Sequence, residues 1–292
     1  PKAAQGLILG GGGVTGIAWE VGLLSGLEHA RIDLRRVDQV IGTSAGSFAA
    51  VSLLSTANLD DIYARQLEGS GGEVPAAVSP ALADEYQRVV AAAAGDSELL
   101  GRLFGTIARN AKTISVENRM EVVRARLGTN RWPSATLSMT AIDAETGRLC
   151  LLDEASSLTL AEAAAASGAV PGIWPMVSAG GSDWIDGGMA SPTNAQLGSR
   201  FARVVIIAPV PVGSSGSDVQ HEVATLPSTT EAFVVTPDTA SRDAIGPNVF
   251  DTSRLALVAA SGRKQGTLIA RELSEFLRNG GASTGNHEAT DQ

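Results

Sequence analysis

Three short stretches carry residues that could do chemistry together. The first is Gly42-Thr43-Ser44-Ala45-Gly46, set between the apolar Val40-Ile41 and a helix-forming run, Phe48–Leu54. Gly-x-Ser-x-Gly at a strand-to-helix turn is the pattern of a nucleophile elbow, which exposes one serine on a strained backbone. Gly42 and Gly46 remove the Cβ atoms that would collide where strand and helix cross. Ser44 then stands at a helix N-terminus, where free N–H groups favour a developing negative charge. The same residues also describe an ordinary turn with an N-capping serine. The second stretch is the glycine run Gly10–Gly13, followed by Val14-Thr15-Gly16. Its N–H groups carry no side-chain cover and can converge on an anion. The third is Asp186-Gly187-Gly188, after the short apolar pair Trp184-Ile185. Taken alone, Asp-Gly-Gly is also a common turn.

Acyl transfer by serine needs a nucleophile, a base for its proton and donors for the oxyanion. Ser44 is the nucleophile candidate, and the glycine run is the donor candidate. The base must come from a short list, because the chain has three histidines, His29, His221 and His287. His29 closes the first predicted helix, and His287 lies in a polar tail. His221 lies in a serine-rich stretch with no rigid support, although a Ser…Asp…His order ending there is formally possible. Asp186 is the stronger candidate, since a carboxylate within hydrogen-bond reach of a serine hydroxyl can take its proton directly.

These residues need a scaffold that brings three turns to one edge. Gly6–Leu9 reads as a buried strand, the segment after the glycines as a helix to about Ala30, and Gln39–Ile41 as a second strand. A strand–helix–strand unit of this kind places two parallel neighbours with a right-handed crossover, so both turns open on the same sheet edge. The elbow helix reaches about Thr56. Residues 58–130 show helical patterns at Leu59–Leu67, Pro80–Ala93, Leu99–Asn110 and Val116–Leu127 and no strand; they read as a helical insertion. A hairpin follows (Thr136–Ile142 with Arg148–Leu152), then an alanine-rich helix, Leu160–Ser167, and strands at Arg203–Ala208 and Phe233–Thr236. Residues 209–230 read as a mobile surface loop and Leu255–Leu277 as a closing helix. The alternation says α/β. Residues 1–278 make a single domain, and 279–292 read as a disordered tail.

In order, Gly11-Gly12-Gly13-Val14-Thr15-Gly16, Gly42-Thr43-Ser44-Ala45-Gly46 and Asp186-Gly187-Gly188 resemble the three signatures of the patatin-like phospholipases of bacterial type. Ala166–Pro175 resembles the stretch that precedes the aspartate in that family. The resemblance runs from about Gly6 to Ala208. It implies a three-layer α/β/α fold on a mostly parallel sheet. It also implies a calcium-independent Ser–Asp dyad, Ser44 and Asp186, that cleaves carboxylic esters of phospholipids or related lipids through an acyl-enzyme. Backbone N–H groups of Gly11, Gly12 and Gly13 would hold the oxyanion, with Gly16, Gly42, Gly46, Gly187 and Gly188 in support. Neither metal nor cofactor is implied. Thr15 departs from the family pattern, which often has Arg or Lys there, and so leaves neutral esters open.

Two rivals use the same residues. Gly11-x-Gly13-x-x-Gly16 fits a dinucleotide fingerprint by spacing. That mode needs an acidic residue at the end of the second strand, where Gly42-Thr43-Ser44 stands instead. A non-catalytic lipid or protein binder of the same fold is the other rival. Composition narrows the partners. Net charge is −9 at pI about 4.9, which disfavours nucleic acid and a polybasic grip on lipid. A single cysteine, Cys150, excludes an internal disulfide and reads as a buried strand residue. No transmembrane segment or signal peptide is evident, which suggests a cytoplasmic or peripheral protein. Transient contact with a membrane surface is expected through Leu99, Leu100, Leu103 and Phe104.

Overall fold

The run Leu7-Ile8-Leu9 has no polar face, so as a strand it must be covered on both sides. That is where the chain puts it. The computed structural model describes residues 4–69 and 73–278. β1 (Gln5–Leu9) leads through the glycine run into α1 (Gly13–His29), and β2 (Gln39–Thr43) leads through Ser44 into α2 (Ala45–Leu54). Four helices follow: α3 (Leu59–Glu68), α4 (Pro80–Ala93), α5 (Ser97–Asn110) and α6 (Val116–Leu127). No strand interrupts them among the described residues. Next come β3 (Leu137–Asp143), β4 (Leu149–Leu152), α7 (Leu160–Ser167), β5 (Val177–Ala179) and β6 (Ser182–Asp186). β7 (Arg203–Ile207), α8 (Val219–Ala224), β8 (Glu231–Val235), α9 (Thr239–Ile245) and α10 (Leu255–Arg278) complete the chain.

The eight strands form one sheet, ordered β5-β6-β3-β2-β1-β7-β8, with β4 also on β3. β3, β2, β1, β7 and β8 run parallel to one another, while β4, β5 and β6 pair antiparallel. Register then fixes the site. Thr140 pairs with both Thr43 of β2 and Leu151 of β4, so those strands lie on opposite edges of β3. Ala141 pairs with both Cys150 of β4 and Asp186 of β6, so β6 shares an edge with β2. β2 ends opposite Thr140, and β6 arrives from the other direction and ends opposite Ala141. Their C-terminal ends meet head on, which brings Ser44 and Asp186 together although 142 positions separate them.

Side-chain alternation builds the layers. Leu7, Leu9, Val40, Met139, Val205 and Ile207 face a core shared with α1, α2, α6, α7 and α10. Ile8, Ile41, Val204 and Ile206 face the other side, where Ala195, Phe201 and Val219 cover them. Ile142 and Ile185 also belong to that side, under α4 and α5.

α1 and α10 approach closely because each presents glycines four residues apart, Gly22 and Gly26 against Gly262 and Gly266. A Cβ on Gly22 would stand 2.1 Å from the Ala259 carbonyl oxygen, and one on Gly266 2.3 Å from that of Leu23. Alanine gains about 1 kcal/mol of helix propensity over glycine, but forcing two backbones apart costs about 1–3 kcal/mol. The double variant Gly22→Ala/Gly266→Ala is therefore expected to lose about 2 kcal/mol net, read from the urea midpoint at unchanged slope. A gain in stability would mean the helices slide apart freely.

Several sequence expectations change. Residues 209–230 are not one mobile loop, because they carry α8, whose Val219 is buried. β5 and α9 were invisible in the pattern, being too short for a period to register. Cys150 is only half-buried on β4. The expected membrane-docking cluster is turned inward. Phe104 is fully buried, Leu100 nearly so, and Leu99 and Leu103 pack against the same core under α5. In this packing that face is turned to the core. Among the described residues no helix is long and apolar enough to cross a membrane. Residues 279–292, with His287, lie outside the described residues.

Candidate active site

The elbow is strained as its pattern requires. Ser44 has φ 52° and ψ −113°, a left-handed conformation worth about 1–3 kcal/mol of strain for a residue with a Cβ. Backbones crowd around it. A Cβ on Gly46 would lie 2.0 Å from the Leu9 carbonyl oxygen, and one on Gly42 2.6 Å from the Ser47 Cα. Glycine is required at both positions for close approach.

The strain is held by side chains. The Ser44 N–H donates to the Ser167 hydroxyl at 2.9 Å, and that hydroxyl lies 2.7 Å from the Ser47 hydroxyl. Thr140 donates its hydroxyl to that of Thr43 at 2.8 Å, and the Asn194 amide donates to Thr43 and to the Gly187 carbonyl, both at 3.1 Å. Asn194 thus ties the end of β2 to the turn after β6. Ser167→Ala removes the acceptor of the Ser44 N–H. It is expected to lower stability by about 1–2 kcal/mol and to reduce kcat with little change in KM. An unchanged kcat at reduced stability would make Ser167 purely structural.

Asp186 is buried at the end of β6. Burial pushes its carboxyl up to about 7, opposed by the Ser44 hydroxyl, the Gly188 N–H and the Arg119 guanidinium. The Gly188 N–H donates to Oδ1 at 2.6 Å. Gly187 leaves no room for a side chain, since a Cβ there would stand 2.2 Å from the Thr140 hydroxyl. A carboxyl that titrates near neutrality beside a serine hydroxyl is suited to take and return a proton.

The glycine run closes the other side. Gly11 donates its N–H to the Pro192 carbonyl at 2.7 Å, so its donor is committed within the protein. This departs from the expectation that all three glycines face an oxyanion; Gly12 and Gly13 are left at the turn. Gly13 itself is left-handed, at φ 60°. Gly16 carries the crossing of the two turns, where a Cβ would lie 3.2 Å from that of Ala45. Thr15 is buried and reaches the Val249 carbonyl with its N–H at 3.1 Å and its hydroxyl at 3.2 Å. It anchors the 246–250 loop to the glycine turn.

Gly11, Gly12, Gly13, Ser44, Asp186 and Gly188 line one cavity of about 130 Å³. Met189, Pro192, Val210, Val249 and Phe250 give it apolar walls. The histidines lie elsewhere. His221 is exposed on α8, and His29 pairs with Asp60 and Arg263. Among the described residues no three His, Cys, Asp or Glu side chains group as a metal-binding set. Ser167, Asn194 and Arg119 escaped the sequence reading. Ser167 had one signal, its place in the Ala166–Pro175 stretch, while Asn194 and Arg119 had none.

Residues 7–197 match the family Patatin, patatin-like phospholipase. Among solved structures, VipD from Legionella pneumophila aligns over 93% of this chain and 67% of its own, at 12% identity and a TM-score of 0.44. The type III effector protein ExoU aligns over 93% of this chain, at 16% identity and a TM-score of 0.40. ExoU of Pseudomonas aeruginosa in complex with SpcU gives 95%, 18% and 0.40. The chain spans about half the length of ExoU, 53% in both cases. No curated protein matches in sequence. With the family match extending over more than half of its length, the chain belongs to the patatin-like phospholipase family.

Proposed function

We propose that this protein is a serine lipid acyl hydrolase that cleaves carboxylic esters through a Ser44–Asp186 dyad. One observation carries the reading. A serine on a strained elbow and a buried carboxyl that titrates near 7 line the same apolar-walled cavity as the glycine turn. Ser44 Oγ attacks the ester carbonyl carbon while Asp186 takes its proton. The N–H groups of Gly12 and Gly13 hold the oxyanion. As the tetrahedral intermediate collapses, the bond to the alcohol breaks and Asp186 gives its proton to the departing oxygen. Water then attacks the acyl-serine, Asp186 accepts its proton, and the acid leaves as the serine is re-protonated. The apolar walls of the cavity suit a fatty acyl chain.

The test is covalent labelling. A fluorophosphonate probe is expected to modify one residue, and peptide mass spectrometry should place the adduct on Ser44, with p-nitrophenyl ester turnover lost in proportion. Full turnover after complete labelling, or an adduct at another serine, would overturn the reading. Folded protein that neither labels nor turns over any ester would be a binder of this fold.

A further inference from the structure

Ser44 lies between two cavities of different chemistry. The first is the apolar one that also holds Asp186. The second, much smaller at about 20 Å³, shares Gly13, Ser44, Val170 and Phe250 with it and is also lined by Arg119 and Arg126. Both arginines stand on α6, two helical turns apart and so on one face. The wholly buried carboxylate of Glu73 sits against them. It accepts from Arg119 Nη1 at 2.9 Å and pairs with Arg126 Nη2. Two guanidinium groups against one carboxylate leave a surplus positive charge. Arg119 is about nine-tenths buried, and among the described residues its Nε has no hydrogen-bond partner. Its guanidinium lies 4.1 Å from the centre of the Trp174 ring. The next acid in reach of Arg119 is Asp186, so the surplus is a full charge while Asp186 carries its proton.

An open guanidinium donor beside a second buried guanidinium favours an anionic acceptor over a neutral one. Beyond Arg126 a further cavity, sharing Ile17, Phe48 and Arg126 with this one, leads out along α3 past Arg65 and Gln66. The path from the surface to Ser44 is therefore marked by three arginines.

We infer that Arg119 and Arg126 form a subsite for an oxyanion, a phosphate or carboxylate, carried on the alcohol side of the ester substrate, with Glu73 occupying that position in the free protein. The inference rests on the reading of Ser44 as nucleophile. An arginine fork matches the paired oxygens of either anion. The acyl chain then takes the apolar cavity, and the substrate lies across Ser44 with its charge toward α6.

The test has two arms. The first is calorimetric titration with decyl phosphate below its micelle concentration, decanol and inorganic phosphate. The second is the ratio of kcat/KM for 1-decanoylglycerol 3-phosphate over 1-decanoylglycerol. Arg126→Gln is expected to weaken decyl phosphate and lower the ratio by about tenfold, the share of one charge-assisted contact. Glu73→Gln removes the resident carboxylate and keeps both arginines, so it is expected to tighten decyl phosphate severalfold and raise the ratio. A merely structural ion pair predicts loss in both variants on both esters, and circular dichroism identifies a variant that has unfolded. If Arg126→Gln does not fold, the sign of the Glu73→Gln effect decides. Decyl phosphate that binds wild type no better than decanol overturns the subsite. Inorganic phosphate that binds as tightly as decyl phosphate and competes with it identifies a free-anion site and overturns the assignment to substrate. Turnover of both esters at a ratio that neither variant moves overturns the subsite and leaves the hydrolase standing. Binding that follows the expected signs without any turnover does the reverse.

Discussion

Ser44→Ala is expected to lower kcat on a p-nitrophenyl acyl ester by at least about 10⁴-fold, equivalent to roughly 5.5 kcal/mol of transition-state stabilisation. No other nucleophile stands at the elbow. Ser47 and Ser167 are committed to each other and to the Ser44 N–H. The variant should fold, because alanine keeps every backbone contact and the donor to Ser167. It should not be more stable, since alanine suffers the same left-handed φ of 52°. Ser44→Gly separates the two effects. It removes the nucleophile and relieves the strain, and should raise stability by about 1–2 kcal/mol at equal loss of activity. His221→Ala should retain wild-type turnover, because that side chain is exposed on α8. Residual activity above a tenth in Ser44→Ala, or a loss in His221→Ala, would sink the assignment.

What was legible in the sequence follows from what each signal depends on. Ser44, Gly42 and Gly46 were legible because a strained elbow needs fixed residue types at fixed spacing within a few positions. α4, α6 and α7 begin where the pattern begins because Ser79, Ser115 and Thr159 are side-chain N-caps. The meeting of Ser44 and Asp186 depends instead on β2 and β6 sharing one edge of β3. Nothing local encodes that register, so the pairing came from the chemistry a serine nucleophile requires and from the resemblance, not from the strand pattern. Leu99, Leu100, Leu103 and Phe104 misled because amphipathic spacing says that a face is apolar, not what covers it. Ile142 and Ile185 cover it. Arg119 and Arg126 carry no local signal of burial. Their burial depends on Glu73, 46 positions before Arg119, which no periodicity reaches.

Asp186→Asn is expected to abolish turnover and to stabilise the protein, with the size of the second effect set by pH. The carboxyl is isosteric with the amide, so packing at the end of β6 is retained. Burial lifts the Asp186 carboxyl from 3.8 to about 7, so the folded state holds a proton that the unfolded chain releases near pH 4. Stability from this group is therefore fully present below pH about 4 and declines as pH rises toward 7. The complete loss is roughly 4 kcal/mol. Activity runs the other way, because only the ionised carboxylate can take the proton of Ser44. Wild-type kcat/KM should rise about tenfold per pH unit below 7 and level off above about 8. Glu20, wholly buried on α1 and also pushed up by burial, titrates in the same stability direction and remains in the variant. The difference between wild type and Asp186→Asn thus isolates Asp186. Urea unfolding of both should show a gap in favour of the variant of about 1.5 kcal/mol at pH 5 that widens to roughly 4 kcal/mol at pH 8.5. An equal gap at both pH values would mean that the carboxyl is ionised throughout, and the limb of the rate profile near pH 7 would then belong to another group.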